Sequence, residues 1–174
     1  MEKNLDKEPW DSSDLKANEL LLSMFENIES FCEMPKKVNY FYEARVILSE
    51  LVNKPLISTN GLVAYISKNS AKELLCGAAV NNSFEKQAHL IGIANIEQLF
   101  SNAIEPWDFN LNPEKSNEGL KAIRRLYSPM FYNDRIILIK LTVKEMKNKN
   151  EGNRLYSLKA INTDLKKNNG VQVT

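Results

Sequence analysis

Apolar and polar positions alternate most regularly between residues 123 and 161, and this alternation predicts three antiparallel strands in a meander. Asn133-Asp134 predicts a tight turn between the first two strands. The run from Asn148 to Asn153, rich in Asn, Lys and Gly, predicts a looser turn before the third. The rest of the chain is interpreted around this meander.

The middle strand of the meander has two unlike sides. Its odd positions are all apolar, namely Ile137, Ile139, Leu141 and Val143. Its even positions begin apolar and end polar, in the order Ile136, Leu138, Lys140, Thr142 and Lys144. Alternate residues of a strand point to opposite faces of a sheet. We therefore expect one face to be buried beneath helices and the other to be open at one end, where it carries ammonium and hydroxyl groups.

Before the meander the apolar residues recur at helical spacing. They predict a helix over residues 14–31 and a second over residues 39–52, which together form a helical hairpin. Ser70 followed by Glu73 matches a capping box and predicts a short helix from Ala71 to Cys76-Gly77. A short strand over 62–66, a loop over 78–83 and a helix over 84–103 with a break near Gly92 complete the prediction.

Helices that precede strands in this order predict an α+β fold, with an N-terminal helical hairpin and short helices packed on a small antiparallel meander sheet. We expect three segments: an N-terminal helical segment over residues 1–55, an α+β domain over 56–165 and a flexible tail over 166–174.

Bulk composition narrows the class of protein. With 174 residues, 43% hydrophobic and 26% charged, the chain is long enough for one globular domain, and its net charge of +1 gives no global basic field. Any nucleic-acid binding must come from local clustering of charge. Cys32 and Cys76 lack metal-ligand spacing and are expected to be reduced thiols. No signal peptide and no transmembrane span is recognised, so we expect a cytoplasmic protein with no membrane partner, no metal and no cofactor.

His89 is the one histidine and the one side chain with an ordinary pKa near neutrality. It can serve as a general acid or base, or it can be a helix histidine bonded to water or a carbonyl. A single histidine excludes a two-histidine acid and base pair. No glycine-rich phosphate loop, zinc spacing or nucleophile elbow is present.

Residues 67–72 place Lys68, Ser70 and Lys72 around the start of a helix. A helix N-terminus offers free N–H groups and the positive end of a dipole, which suits a phosphate. Helix capping alone also explains Ser70 and Glu73, so both interpretations stay open.

The polar face of the meander is the third candidate. Lys140, Thr142 and Lys144 share it, and the register decides whether Tyr156 with Leu158 or Ser157 with Lys159 joins them. Arg124 and Arg125 point to opposite faces, so one of them reaches this side. Lysine or arginine there can stabilise a phosphorane-like transition state, and a solvated surface is the plain alternative.

Three phrases of the sequence resemble a known family. They are Ala-Tyr-Ile-Ser-Lys-Asn-Ser-Ala-Lys-Glu-Leu from Ala64, His-Leu-Ile-Gly-Ile-Ala-Asn-Ile-Glu-Gln-Leu-Phe-Ser-Asn-Ala from His89, and Ile-Leu-Ile-Lys-Leu-Thr-Val-Lys-Glu from Ile137 with Arg-Leu-Tyr-Ser-Leu from Arg154. Over residues 60–162 they look like a large polyvalent-protein-associated domain of phage and mobile-element proteins. That domain is grouped with the barnase–EndoU–colicin–RelE-like fold of metal-independent RNases and toxins.

The resemblance implies helices packed on an antiparallel sheet, with RNA in a cleft on the open sheet face. By position it implies Lys72, His89, Thr142 and Tyr156 as catalytic residues. Together with the polar groups above, which add Lys68, Ser70, Arg124 and Lys140 as substrate-binding residues, it leads to an endoribonuclease-like toxin or effector domain.

In this hypothesis the 2′-OH of RNA, with tRNA as one candidate substrate, attacks the adjacent phosphate. His89 or Lys72 handles the proton, and Lys140 or Arg124 holds the charge. A protein inhibitor, such as an immunity protein or antitoxin, is the expected second partner. The alternative hypothesis is a non-catalytic protein-interaction module that uses the sheet face or the N-terminal helical hairpin, and a third is a nucleic-acid binder without cleavage.

Overall fold

The computed structural model of the protein describes Glu19, Cys32 and residues 35–105 and 119–163. The predicted helix over 14–31, apart from Glu19, and the predicted tail over 166–174 lie outside the described residues. In the described part the fold is α+β, as the order of periodicities predicts.

Five α-helices and five strands occur in the described residues. The helices are α1 (Phe41–Leu51), α2 (Lys68–Leu75), α3 (Gly77–Asn82), α4 (Lys86–Ala94) and α5 (Ile96–Asn102). The strands are β1 (Leu56–Ile57), β2 (Val63–Ala64), β3 (Leu120–Tyr132), β4 (Arg135–Met146) and β5 (Arg154–Ile161), and a short 3₁₀ helix (Lys149–Glu151) precedes β5.

The predicted meander is confirmed. β3, β4 and β5 form an antiparallel sheet in sequential order, while β1 and β2 form a separate hairpin. Asn133 and Asp134 join β3 to β4 with positive φ values of 48° and 64°, the backbone that a tight hairpin turn of matching twist requires. Residues 148–153 form the second connection.

The helical layer packs on the odd-numbered face of β4. Ile137, Ile139, Leu141 and Val143 are all buried in the main core, as the alternation predicts. α4 packs closely on the sheet at Gly92, where an added Cβ would lie 3.2 Å from Leu158 Cδ2. Among the described residues, the opposite face carries a smaller apolar cluster, formed by Tyr127, Leu138 and Ile161 with Ile104.

Both outer edges of the sheet are paired over part of their length. Ile104 exchanges two backbone hydrogen bonds with Tyr127 of β3, at 2.9 and 2.8 Å. On the other edge, Tyr65 pairs with β5 beside Arg154. These pairings satisfy edge groups that would otherwise invite aggregation.

Three local predictions were wrong. α2 begins at Lys68 rather than Ala71, because Ser67 is its N-cap and bonds reciprocally with Ser70. Residues 77–82 form α3 rather than a loop. The long helix breaks at Asn95 rather than at Gly92.

Asn95 causes that break through its side-chain amide. Asn95 Oδ1 accepts from Lys36 N at 2.8 Å, and Asn95 Nδ2 donates to Lys36 O at 3.0 Å and to Ile91 O at 2.8 Å. The amide therefore pairs with the incoming chain as a strand would. Ala44 and Leu48 of α1 belong to the same core as α4 and the sheet.

Candidate functional site: a basic face of the sheet

The strand register places seven polar residues on the side of the sheet opposite the helices. We call this set the basic sheet face; it consists of Arg125, Lys140, Thr142, Lys144, Arg154, Ser157 and Lys159. Glu145 is the only carboxylate in β3, β4 and β5, and it points to the other side. The strands therefore contribute five cations and no anion to this face.

Two of the cross-strand pairs on this face join like charges. Lys144 of β4 lies directly opposite Arg154 of β5, and Lys140 lies directly opposite Lys159. Thr142 and Ser157 are opposite each other between these two pairs, and Arg125 flanks Thr142 from β3. Like charges placed opposite each other destabilise a sheet, so the pair of Lys144 and Arg154 favours the approach of an anion.

A β-bulge settles the register that the sequence left open. Ser157 pairs with Thr142 and Leu155 pairs with Val143, so Tyr156 is the extra residue between them. Ser157 and Lys159 thus share the polar face, and the bulge still brings the Tyr156 ring to 4.3 Å from Lys144 Nζ. Burial raises the pKa of Tyr156, nearby Arg125 lowers it and Glu73 raises it.

Arg125, and not Arg124, is the arginine on this face. Arg124 lies opposite Val143 on the core side, where its Nη2 is 2.6 Å from Glu105 Oε1 and its Nη1 is 3.7 Å from Glu145 Oε1. The bond to Glu105 raises the pKa of Arg124, burial lowers it, and the charges of Glu105 and Glu145 raise it further. Arg124 therefore has a structural role that ties β3 to the end of α5.

His89 lies in the core on the helical side of the sheet and is fully buried. Its Nε2 is 2.8 Å from Leu74 O, which can only accept, so Nε2 carries the proton. Its Nδ1, 2.7 Å from Ser83 Oγ, then accepts from that hydroxyl, and Ser83 Oγ accepts from Ala160 N at 2.8 Å. Burial lowers the pKa of His89, while the bond to Leu74 O raises it.

The three residues predicted around α2 also lie apart from the basic sheet face. Ser70 is buried and bonded to Ser67 at the start of α2. Lys68 and Lys72 are exposed beside α1. Of the eight predicted site residues, the structure thus brings together Lys140, Thr142 and Tyr156.

Sequence reasoning left out Arg154 as a site residue and chose Arg124 over Arg125. The alternation of apolar and polar residues in β3 could have indicated that Arg125, and not Arg124, lies on the polar face. Ala122 and Leu126, which share a face with Arg124, are buried in the structure. The face on which Arg154 lies could not be predicted in this way, because the bulge at Tyr156 shifts the register of β5.

Comparison with known protein families shows to which family the chain belongs. The model of the family described as large polyvalent protein-associated domain 3 matches residues 35–156, which is more than half of the 174 residues. The chain belongs to this family. It is therefore a domain associated with polyvalent proteins of phage and mobile elements. No curated protein and no solved structure matches it.

The family match runs from residue 35 to residue 156, so it includes α1, β3, β4 and the first three residues of β5. It confirms the family that the resemblance suggested, whereas the barnase–EndoU–colicin–RelE-like fold stays a prediction. Within the residues that the structure describes, no helix combines the length and apolar character needed to cross a membrane.

Proposed function

We propose that this polyvalent-protein-associated domain binds RNA through the basic sheet face. The observation that carries the proposal is the directly opposed pair of Lys144 and Arg154, with Arg125 on the same face. Like charges opposite each other cost a sheet about 0.2–1 kcal/mol. A phosphate between them turns that repulsion into attraction and releases condensed counterions from the nucleic acid.

The dimensions of the face favour a single strand of nucleic acid. Three strands at a spacing of about 4.8 Å present a surface about 10 Å across, which suits one phosphate backbone better than the two backbones of a duplex. Between the charged pairs, the partly exposed Ser157 places a hydroxyl that can bond to phosphate or to a ribose 2′-OH, whereas Thr142 beside it is buried. The 2′-OH is the group that distinguishes RNA from DNA.

Cleavage of the bound RNA is the more specific form of this proposal. The 2′-oxygen would bond to the adjacent phosphorus while the bond from phosphorus to the 5′-oxygen breaks, which leaves a 2′,3′-cyclic phosphate and a 5′-hydroxyl. Water would take the proton of the 2′-OH, and Tyr156 would give a proton to the leaving 5′-oxygen. Lys140 and Lys144 would stabilise the negative charge, and Thr142 would help to hold the reacting groups in place. Burial raises the pKa of Tyr156 and so makes its phenol a weaker acid. Its place beside Lys144, and not the pKa shift, supports this role. His89 and Lys72 take no part, since both lie on the helical side of the sheet.

Fluorescence anisotropy with a single-stranded RNA of about 16 nucleotides, the upper end of common site sizes, tests binding. We expect Lys144→Glu and Arg154→Glu each to weaken binding by about tenfold and to reduce the salt dependence of log K by about one unit for each lost phosphate contact. Lys86→Glu, an exposed change on α4, is the matched control and should have little effect.

Equal weakening by Lys86→Glu and Lys144→Glu would show that only net charge matters and would overturn the proposal. Tighter binding of single-stranded DNA than of RNA would overturn the choice of nucleic acid. Gel analysis of the same RNA after incubation tests cleavage separately: products that disappear in Lys144→Glu support it, and intact RNA limits the domain to binding.

A protein-interaction module is the second candidate function. Phe41 and Tyr42 of α1 are 38% and 58% exposed, and Val46 is 54% exposed. Exposed apolar groups concentrated on one helix are typical of a protein contact. This function uses the helical layer and leaves the basic sheet face free to bind RNA.

A further inference from the structure

A groove of about 500 Å³ between α1 and α2 has an apolar floor and a basic rim. The floor consists of Phe41, Leu48, Val52, Ala71 and Leu75, and the rim carries Arg45, Lys68 and Lys72. No carboxylate lines the groove, since Glu43, Glu50 and Glu73 of the same two helices lie outside its lining. The groove is therefore apolar at its base and positive at its edges.

The three rim cations have no carboxylate partner within the part of the chain that the structure describes. Arg45, Lys68 and Lys72 are all exposed. Cations at an exposed rim keep their long apolar stems against the groove while their charged ends point to water. Carboxylates of a second molecule can reach these ends without displacing any ion pair among the described residues.

Exposed apolar side chains also occur elsewhere along α1. Six large hydrophobic residues are exposed in the described part of the chain, and four of them, Tyr40, Phe41, Tyr42 and Val46, lie on α1 or at its N-cap. Tyr40 and Tyr42 stack with their ring centroids 5.8 Å apart. Of these four, Phe41 lines the groove, whereas Tyr42 and Val46 line a separate cavity of α1 together with Glu43.

We propose that the α1–α2 groove binds an acidic amphipathic helix of a partner protein. Such a helix would place apolar residues at i, i+3 or i+4 and i+7 on the floor, and Asp or Glu residues against Arg45, Lys68 and Lys72. The 11 residues of α1 span about 16 Å, which is room for about three turns of a partner helix. The choice of an acidic partner rests on the absence of carboxylates from a lining that holds three cations.

This inference rests on the second candidate function and names its site and the chemistry of the partner. It does not depend on RNA binding. The groove lies in the helical layer, whereas the basic sheet face lies on the opposite side of β3, β4 and β5. Substitutions at one site should therefore leave the other intact.

The test titrates the ¹⁵N-labelled full chain with a synthetic peptide of about 18 residues, long enough to populate a helix. The peptide carries Leu and Trp on one face and Glu on the other. A second peptide with Lys at every Glu position is the charge control. We expect saturable amide shifts in α1 and α2 with the Glu peptide only, and weakening of its binding by about tenfold in Arg45→Glu and in Lys72→Glu.

Lys54→Glu is the matched protein control, because Lys54 is exposed but does not line the groove. It should leave the affinity within about twofold, the effect of a remote surface charge. Three outcomes would overturn the inference: equal binding of the Lys peptide, equal weakening by Lys54→Glu, or no saturable shift. Shifts confined to the basic sheet face would also overturn the groove assignment, while the protein-interaction function itself would stand.

Discussion

Ser83 Oγ lies 2.7 Å from His89 Nδ1, and this hydroxyl also accepts from Ala160 N of β5 at 2.8 Å. The other ring nitrogen donates to Leu74 O at 2.8 Å. The single imidazole of the chain therefore links the end of α2, the start of α4 and the sheet, with every polar atom satisfied. A histidine bonded in this way stabilises the fold and has no contact with the basic sheet face.

Replacing His89 tests that structural role. We expect His89→Ala to lower the free energy of unfolding by about 3 kcal/mol, because it leaves a cavity and removes the partners of Leu74 O and Ser83 Oγ. Urea unfolding followed by circular dichroism measures the change. His89→Gln, which can keep one bond, should lose less. The RNA affinity of His89→Ala, measured well below its unfolding transition, should equal that of the parent chain. A variant that kept its stability but lost RNA binding would contradict this interpretation.

The pKa of His89 also predicts a pH dependence of stability. Burial lowers it below the ordinary value of 6.5, so below pH 6.5 the unfolded chain binds a proton that the folded chain resists. The stability that the neutral imidazole contributes is fully present above pH 6.5. It is lost as the pH falls through the lower pKa of the folded state. Urea midpoints should therefore fall less with acidification in His89→Gln than in the parent chain. Parallel pH profiles would contradict the prediction.

The adjacent arginines provide a matched pair of substitutions. Arg124→Ala should destabilise the protein by about 2–3 kcal/mol, because it leaves the largely buried carboxylate of Glu105 without its cation. Arg125→Ala should change stability by no more than about 0.5 kcal/mol, as is usual for surface positions, but should weaken RNA binding. Thermal unfolding and anisotropy on both variants measure the two effects. If Arg125→Ala lowered stability and Arg124→Ala weakened RNA binding, the two arginines would lie on the opposite faces from those assigned.

Ser128 offers a stabilising substitution. Its Oγ is the one buried side-chain polar atom without a hydrogen-bond partner among the described residues. Removing an unsatisfied buried hydroxyl relieves its desolvation cost, so Ser128→Ala should raise the free energy of unfolding by about 1 kcal/mol. Ser83→Ala is the control and should be destabilising, because Ser83 Oγ has two partners. A loss of stability in Ser128→Ala would indicate a bond to water.

The β3–β4 turn offers a second stabilising substitution. Asp134 has a φ of 64°, which costs less for glycine than for any residue with a Cβ. Asp134→Gly should therefore stabilise the protein by a few tenths to about 1 kcal/mol, with the larger chain entropy of glycine as the opposing effect. Differential scanning calorimetry measures the shift. Asp134→Val should lower the melting temperature, and a rise in that variant would contradict the assigned turn.

The sequence by itself determined the meander, its turn at Asn133-Asp134 and the buried face of β4. The physical reason is that strand alternation and turn chemistry are local properties of the chain. It also determined that Lys140, Thr142 and Lys144 share a face. These features depend on neighbours within a few residues, and the structure confirms them.

Only the tertiary structure decided that Arg154 reaches the basic sheet face and where the imidazole lies. The bulge at Tyr156 sets the register of β5, and the packing of Gly92 on Leu158 sets the depth of α4 and buries His89. Both results depend on contacts between segments far apart in sequence. Local periodicity carries no information about such contacts, because a one-residue shift in register moves a side chain to the opposite face.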